Sequence, residues 1–330
     1  MSETIQSLSI CCPARKCINH CATCTARQHD NPYANKYSEG TKYDSFEYWN
    51  DVIKRMKYAQ SKGCTTVMLT GSNEPQQDRH WLESLWLAMQ SLDEPFLNIE
   101  MQTTGAFIDY DYLKYLKAIG LTTLAVSVFS PFSDLGNKEI EQNPDRNYSL
   151  QKLCDNAAKL GLNVRICINV TDFMTSSYFN SDYAEEAIAE VNKHLDSSFT
   201  HLRNVIGDKA NIISDEIERI LNRCSELHAN QVTFRKMWSN PGTAEAEWIH
   251  DHCKLSNIFL SAVSDIVQRK GNLICKLPYG AARYDYNGFS IVVDVDSMAK
   301  DENNINLKYY IIRENGKMYS SWDSPASLVF

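Results

Sequence analysis

The sequence has no apolar run approaching the ~18–20 residues that a membrane-crossing helix needs. It has no surplus of positive charge: 33 Lys and Arg stand against 41 Asp and Glu, a net charge of −8. That balance argues against a wide footprint on duplex nucleic acid and makes nucleic acid an unlikely partner. Its opening, MSETIQSLSI, lacks a basic segment followed by an apolar one, so no secretory signal is read. With 13 Gly and 9 Pro in 330 residues, no low-complexity linker divides the chain, and no tandem repeat recurs. Length and composition then fit a globular protein of one large α/β domain or two smaller ones. What the chain has in quantity is cysteine, 11 in all. Without a signal these read as metal or catalytic thiols of a reduced, cytoplasmic protein rather than as a disulfide scaffold.

Short apolar runs alternate with amphipathic segments. Strands are expected at 4–12, 65–70, 96–102, 121–128, 163–170 and 231–236. Helices are expected between them, over 80–92, 109–119, 149–160 and 213–227, and before Lys62-Gly63 with Asp44 or Ser45 as N-cap. Strands alternating with helices imply βαβ crossovers and a parallel sheet, open or closed into a barrel. Ligands of such sheets sit beyond the carboxyl ends of the strands. Residues 171–212 form a long insertion, a length that suggests a lid or recognition element. Beyond residue 271 the pattern changes to short antiparallel strands at 272–276, 282–286, 289–295 and 307–322. The Glu314–Lys317 stretch, with its Asn-Gly pair, reads as a hairpin turn.

Directly after the first strand stand Cys17, Cys21 and Cys24, spaced C-x3-C-x2-C. Three thiolates hold three corners of a cubane iron–sulfur cluster and leave one iron open. An open position is what separates a catalytic metal site from a closed structural one. The alternative is structural zinc, which needs a fourth ligand. Cys11 or Cys12 offers one, although adjacent strand residues point to opposite faces. His20 lies inside the run but competes for space with Cys17 and Cys21. Cys64, Cys154, Cys167, Cys224, Cys253 and Cys275 form no C-x2-C pair and read as small buried apolar residues. In His250-Asp251-His252-Cys253 only His250 and Cys253 share a helical face, which argues against a metal site. The apolar tail, 322–330, either docks over the barrel mouth or pins the terminus.

The cysteine spacing comes with a second motif. Thr70-Gly71-Ser72-Asn73-Glu74-Pro75 directly follows the second strand. Together they resemble the radical SAM (S-adenosylmethionine) superfamily, with the second motif similar to its Gly-Gly-Glu-Pro segment. The resemblance, which covers about residues 5–240, implies a partial (β/α)6 TIM-like barrel over residues 1–240; the strand pattern beyond it is read as a small antiparallel extension, a helix plus a β-hairpin, over 241–330. It implies a [4Fe-4S] cluster on Cys17, Cys21 and Cys24, and S-adenosylmethionine cleaved reductively to a 5′-deoxyadenosyl radical that abstracts hydrogen from a substrate. Carried over residue by residue, Ser72, Asn73 and Glu74 hold the methionine ammonium. Thr104 lies in a turn similar to the family's Thr-Asn-Gly turn, Ser127 at a ribose-contacting position, and Arg165 and Asn169 on the strand that meets the carboxylate or adenosine. Arg235 on the sixth strand faces the cavity. Two departures are Thr23, where an aromatic is frequent, and Ser72 or Asn73 in place of the second glycine. A small-molecule substrate ranks first, a peptide adding as an edge strand second. Flavodoxin or ferredoxin is the implied electron donor. The competing class is a non-catalytic zinc scaffold. Metal analysis separates the two: anaerobically reconstituted protein is expected to be brown and to hold iron, whereas a colourless, zinc-holding protein would favour the scaffold.

Overall fold

The structure, a computed structural model, describes residues 5–12, 17–28, 45–143, 149–277, 281–295, 307–322 and 324–330. The expected strand start at Thr4 and the candidate cap Asp44 lie outside them. Six strands alternate with helices as the sequence pattern requires: β1 (Ile5–Cys11), β2 (Thr66–Thr70), β3 (Asn98–Thr103), β4 (Thr123–Val128), β5 (Asn163–Asn169) and β6 (Gln231–Arg235). Between β1 and β5 run α1 (Phe46–Ser61), α2 (Arg79–Gln90), α3 (Tyr110–Ala118), α4 (Asp134–Glu141) and α5 (Leu150–Lys159). Their starts are set by side-chain caps: Ser45 accepts from the Tyr48 amide at 3.2 Å, Asp78 from Trp81 at 2.9 Å and Asp109 from Tyr112 at 2.8 Å.

The 171–212 insertion contributes α6 (Glu185–Val191) and α7 (Phe199–Ile206) ahead of α8 (Asn211–Glu226). None of its described residues lines the inside of the sheet. Phe199 and Leu202 are fully buried, the Phe199 amide donates to Ser261 Oγ at 2.9 Å, and Phe179 stacks edge-on to Phe259 at 5.7 Å. These contacts fix the insertion against α10 (Ser256–Lys270), which follows α9 (Ala244–His252). Its length serves packing on the outer helical layer.

Five further strands complete one eleven-stranded sheet: β7 (Asn272–Lys276), β8 (Ala282–Tyr286), β9 (Phe289–Asp294), β10 (Leu307–Ile312) and β11 (Met318–Tyr319). The order is β11-β10-β1-β2-β3-β4-β5-β6-β9-β8-β7. The expected antiparallel pairing is present in β7 with β8, β8 with β9, and β10 with β11. The last strands also do something the sequence pattern did not show. β9 lies parallel to β6, and β10 lies parallel to β1, so they lengthen the parallel sheet at both flanks. Those flanks approach each other, with Lys308 Nζ 3.7 Å from Asp294 Oδ1, and the sheet curls into an incomplete barrel.

Turn chemistry also differs from expectation. Asn287 and Gly288 have φ of 50° and 88° and join β8 to β9 as a two-residue hairpin, the arrangement that positive φ at both positions permits. At 314–317 only Gly316 has positive φ, 74°. The Gly316 amide bonds to the Arg313 carbonyl and the Arg313 amide to the Lys317 carbonyl, which makes a longer, bulged turn. No helix among the described residues is long and apolar enough to cross a membrane.

The strands alternate, and the sense of the alternation creates the site. Val67 and Leu69, Leu124 and Val126, Val164 and Ile166, and Val232 and Phe234 are buried under the helices. Met68, Ser127, Arg165, Gln231 and Thr233 turn to the inside and line a cavity. Arg165 of β5 crosses to Glu100 of β3, Nη1 to Oε1 at 2.8 Å, over the intervening β4. The β4 neighbour of Arg165 is Ala125, and a side chain that small leaves room for the crossing. Arg165 Nε also donates to Gln231 Oε1 at 2.8 Å. Glu100 is 3% exposed, so removing it leaves a half-buried guanidinium without its counter-charge. Glu100→Ala is expected to cost about 3 kcal/mol of unfolding free energy. Urea denaturation checks this, and a loss below about 1 kcal/mol would put the pair in the class of exposed ones.

Candidate functional site

The inside of the barrel is a cavity of about 550 Å³. Its wall includes Ser9 of β1, the turn 70–74 after β2, Thr103 and Thr104 after β3, Ser127, Arg165 and Arg235. Cys24 from the cysteine loop also lines it. Of the residues singled out in the sequence, Ser72, Asn73, Glu74, Thr104, Ser127 and Arg165 are brought to this wall. Asn169 is not. It is 7% exposed and stands in register with Arg235 at the carboxyl end of β5. Thr23 is likewise buried outside the lining, at 3% exposure.

Cys17, Cys21 and Cys24 are half-buried and free of disulfides. Burial pushes the Cys17 thiol up to about 11, partly offset by the Asn19 amide, which donates to its Sγ at 3.4 Å; the charge of Glu74 adds to the rise and its backbone amide opposes it. Burial raises Cys21 as well, helped by Glu141, Cys24, Glu74 and Cys17. The three sulfurs therefore share one electrostatic neighbourhood with Glu74, and in the metal-free chain Cys17 and Cys21 keep their protons. Among the described residues no three His, Cys, Asp or Glu side chains are drawn together into a finished metal site. The donor set nevertheless fits an iron–sulfur cluster: soft thiols of adequate exposure on one loop beside a cavity. A zinc tetrahedron fits less well. Cys11 and Cys12 are each 1% exposed, with Cys11 packed on Gly71 and Cys12 in the apolar core. His20 is exposed, its Nδ1 3.4 Å from Arg27 Nη1. His250 is exposed beside Asp251, and His252 packs on Trp248 at 4.6 Å.

The residue that fixes this loop was not singled out in the sequence. Asn19 sits between Cys17 and Cys21. Its Nδ2 donates to Glu74 Oε1 at 2.9 Å and to Thr104 Oγ1 at 3.1 Å, and its Oδ1 accepts from Asn143 at 2.7 Å. The Ile18 amide adds a bond to Gln77 Oε1 at 3.2 Å. Glu74 also accepts from the Thr104 amide at 3.0 Å, from Thr103 Oγ1 at 2.5 Å and from Gln76 Nε2 at 3.3 Å. An ionised carboxylate has about four acceptor positions. Those of Glu74, which is 5% exposed, are taken by protein donors.

A second carboxylate was also missed. Ser72 Oγ donates to Glu314 Oε1 at 2.5 Å, and Glu314, in the turn after β10, is 2% exposed. Its other oxygen has no hydrogen-bond partner. Sequence reading saw Glu314 only as a turn residue, because nothing local shows that β10 lies beside β1. Gly71 makes the approach possible. Its φ is +128°, and a Cβ there would stand 3.1 Å from Cys11. The tail is pinned rather than draped over the mouth: the Phe330 carbonyl accepts from Arg55 Nε at 2.9 Å, while Trp322 upstream lines the cavity.

The radical SAM superfamily model matches residues 12–191. No curated protein matches the chain in sequence. Among solved structures, Streptococcus suis SuiB bound to S-adenosylmethionine is similar over 96% of this chain, with a TM-score of 0.53 and 15% identity. The chain spans 60% of that protein's length. The same protein bound to its precursor peptide SuiA gives a TM-score of 0.51 at 15% identity, over 96% of this chain and 59% of that one. The structure of anSMEcpe with bound AdoMet and the Cp18Cys peptide gives 0.53 at 11% identity, over 97% of this chain and 75% of that one. At these identities the likeness is one of fold.

Removing the Glu74 carboxylate takes one acceptor from each of Asn19, Gln76, Thr103 and Thr104. Glu74→Ala is expected to destabilise the metal-free protein by about 3 kcal/mol, and Glu74→Gln, which keeps one acceptor oxygen, by about half as much. Chemical unfolding without iron measures both, and equal small losses would show that the carboxylate does not hold the loop.

Proposed function

The chain belongs to the radical SAM superfamily, and on that premise we propose that it is an enzyme using a [4Fe-4S] cluster and S-adenosylmethionine to take a hydrogen atom from a small-molecule substrate. The observation that carries this is the cysteine loop locked by Asn19 to Glu74 and Thr104 at the edge of the cavity. Cys17, Cys21 and Cys24 would hold the cluster. When bound there, the cluster and S-adenosylmethionine supply a 5′-deoxyadenosyl radical for hydrogen abstraction.

The chain's own residues supply position and charge. The carbonyls and side chains of the Gly71–Asn73 turn present acceptors to an ammonium, with Glu314 behind Ser72 adding negative charge. Glu74 serves by fixing the loop rather than by offering a free oxygen. Thr104 and Ser127 face the rest of the cofactor. Arg165, held by Glu100 and Gln231, presents its guanidinium to the cavity without freedom to swing. A cavity of about 550 Å³ suits a cofactor-sized molecule plus a small substrate better than a folded protein. A small electron carrier of the flavodoxin or ferredoxin class would supply the electron.

A peptide substrate is the second reading, and one observation favours it. The edge strand β7 is exposed along its length, with Leu273 and Ile274 52% and 49% exposed, as strand addition requires.

Reconstituted protein given S-adenosylmethionine and dithionite without oxygen is expected to form 5′-deoxyadenosine. A variant with Cys17, Cys21 and Cys24 all changed to Ala is expected to form none. An equal yield from the variant would overturn the assignment.

A further inference from the structure

The charges on the cavity wall are unevenly distributed. The side near the turns after β2 and β10 carries Glu74 and, behind Ser72, Glu314, together with Arg313, whose guanidinium lies over the Trp322 ring at 5.1 Å. The wall built from β6, β9 and β8 carries Arg235, Arg283 and Asp294. Arg235 pairs in register with Asp294, and Arg283 with Val292 two residues earlier on the same strand, so the two guanidinium groups flank β9. Arg235 Nε is buried without a hydrogen-bond partner, and the carboxylate oxygen beside it, Asp294 Oδ2, is 3.7 Å away. Lys308 Nζ also stands 3.7 Å from Asp294, so one carboxylate faces two cations. Arg283 Nε donates to the neutral Ser290 Oγ at 3.0 Å, and no carboxylate among the described residues pairs with it. Arg165, by contrast, is matched by Glu100.

This excess does not follow from composition, since the whole chain carries a net charge of −8. Arg235 and Arg283 are half-buried, with only the shared Asp294 and the neutral Ser290 beside them among the described residues, so their guanidinium groups keep donors for an anion in the cavity. Guanidinium groups match the geometry of carboxylate and phosphate oxygens. We propose that the substrate is a small acid, with a carboxylate or phosphate bound by Arg235 and Arg283 on the β6–β9–β8 wall. This rests on the radical SAM reading for its role as substrate. The anion site itself stands on the wall's own charges. The polarity of the cavity would then orient the two ligands: the ammonium of S-adenosylmethionine at the acidic side, the substrate's anion at the basic side.

The test uses reconstituted protein with saturating S-adenosylmethionine at constant ionic strength. Inorganic phosphate and glutarate are the probes, with glutaramide as the uncharged control. Binding is read by thermal shift and by ligand-detected NMR. Phosphate or glutarate is expected to bind and glutaramide not to; a preference between the two anions tells phosphate from carboxylate recognition. Arg235→Gln and Arg283→Gln are each expected to weaken the anion about tenfold or more. Arg283→Lys should recover part of the loss. The affinity for S-adenosylmethionine, measured by equilibrium dialysis, should stay within about twofold, and each variant's own melting temperature reports whether it folds. Anion binding unchanged in both Gln variants overturns the proposal. So does a comparable loss of S-adenosylmethionine affinity, which would assign the two arginines to the cofactor's own carboxylate. If the wild type binds no S-adenosylmethionine yet loses phosphate on Arg235→Gln and Arg283→Gln, the radical SAM reading fails and the anion site stands.

Discussion

The bond between Glu74 and Asn19 is the contact on which the site's geometry depends. A loop carrying three cysteines has no reason of its own to lie over a sheet. Here it is tied to the turn after β2 through Glu74 and to the turn after β3 through Thr104, with Asn19 reaching both. Since Glu74 is 5% exposed, each donor lost would leave another buried polar group unpaired. The network therefore fails or holds as a unit, and that rigidity keeps the thiols beside the cavity before any metal arrives.

The sheet makes the cavity by replacing the apolar filling of a closed barrel with polar and charged side chains. Apolar side chains point outward to the helices, and Arg165, Gln231 and Thr233 point inward. A filled interior would have Val, Ile and Leu there. Placing β9 and β10 at opposite flanks of the parallel run widens the curled sheet and brings Asp294, Arg283 and Glu314 to its inside or its rim. The last part of the chain thus supplies charge on both sides of the cavity that the first six strands begin.

The first six strands were legible in the sequence because each is a short run of strand-forming residues set among amphipathic helical segments, with Gly63, Gly120 and Gly161 closing the helices ahead of β2, β4 and β5, and the cysteine spacing read through to the loop. The positions of β9 and β10 were not legible. Their apolar alternation is the same whether they pair with a hairpin neighbour or with a strand far earlier in the chain, as β9 does with β6, where Gln231 stands opposite Ser290. Glu314 was hidden for the same reason. Asn19 was hidden because an asparagine between two cysteines looks like spacer until Glu74 is seen opposite it. Asn169 lies four residues beyond Arg165 on the same face of β5, but at the buried end of the strand it does not reach the cavity lining. The length of the 171–212 segment suggested a lid, whereas its buried Phe199 and Leu202 show a packing role.

The central claim is that three thiols on this loop leave one iron open to S-adenosylmethionine. Mössbauer spectroscopy of protein reconstituted with iron-57 tests it directly. Adding S-adenosylmethionine should change the spectrum of a single iron of the cluster and leave the others as they were. A spectrum that does not respond, or a protein that takes up zinc in place of iron, would contradict the account.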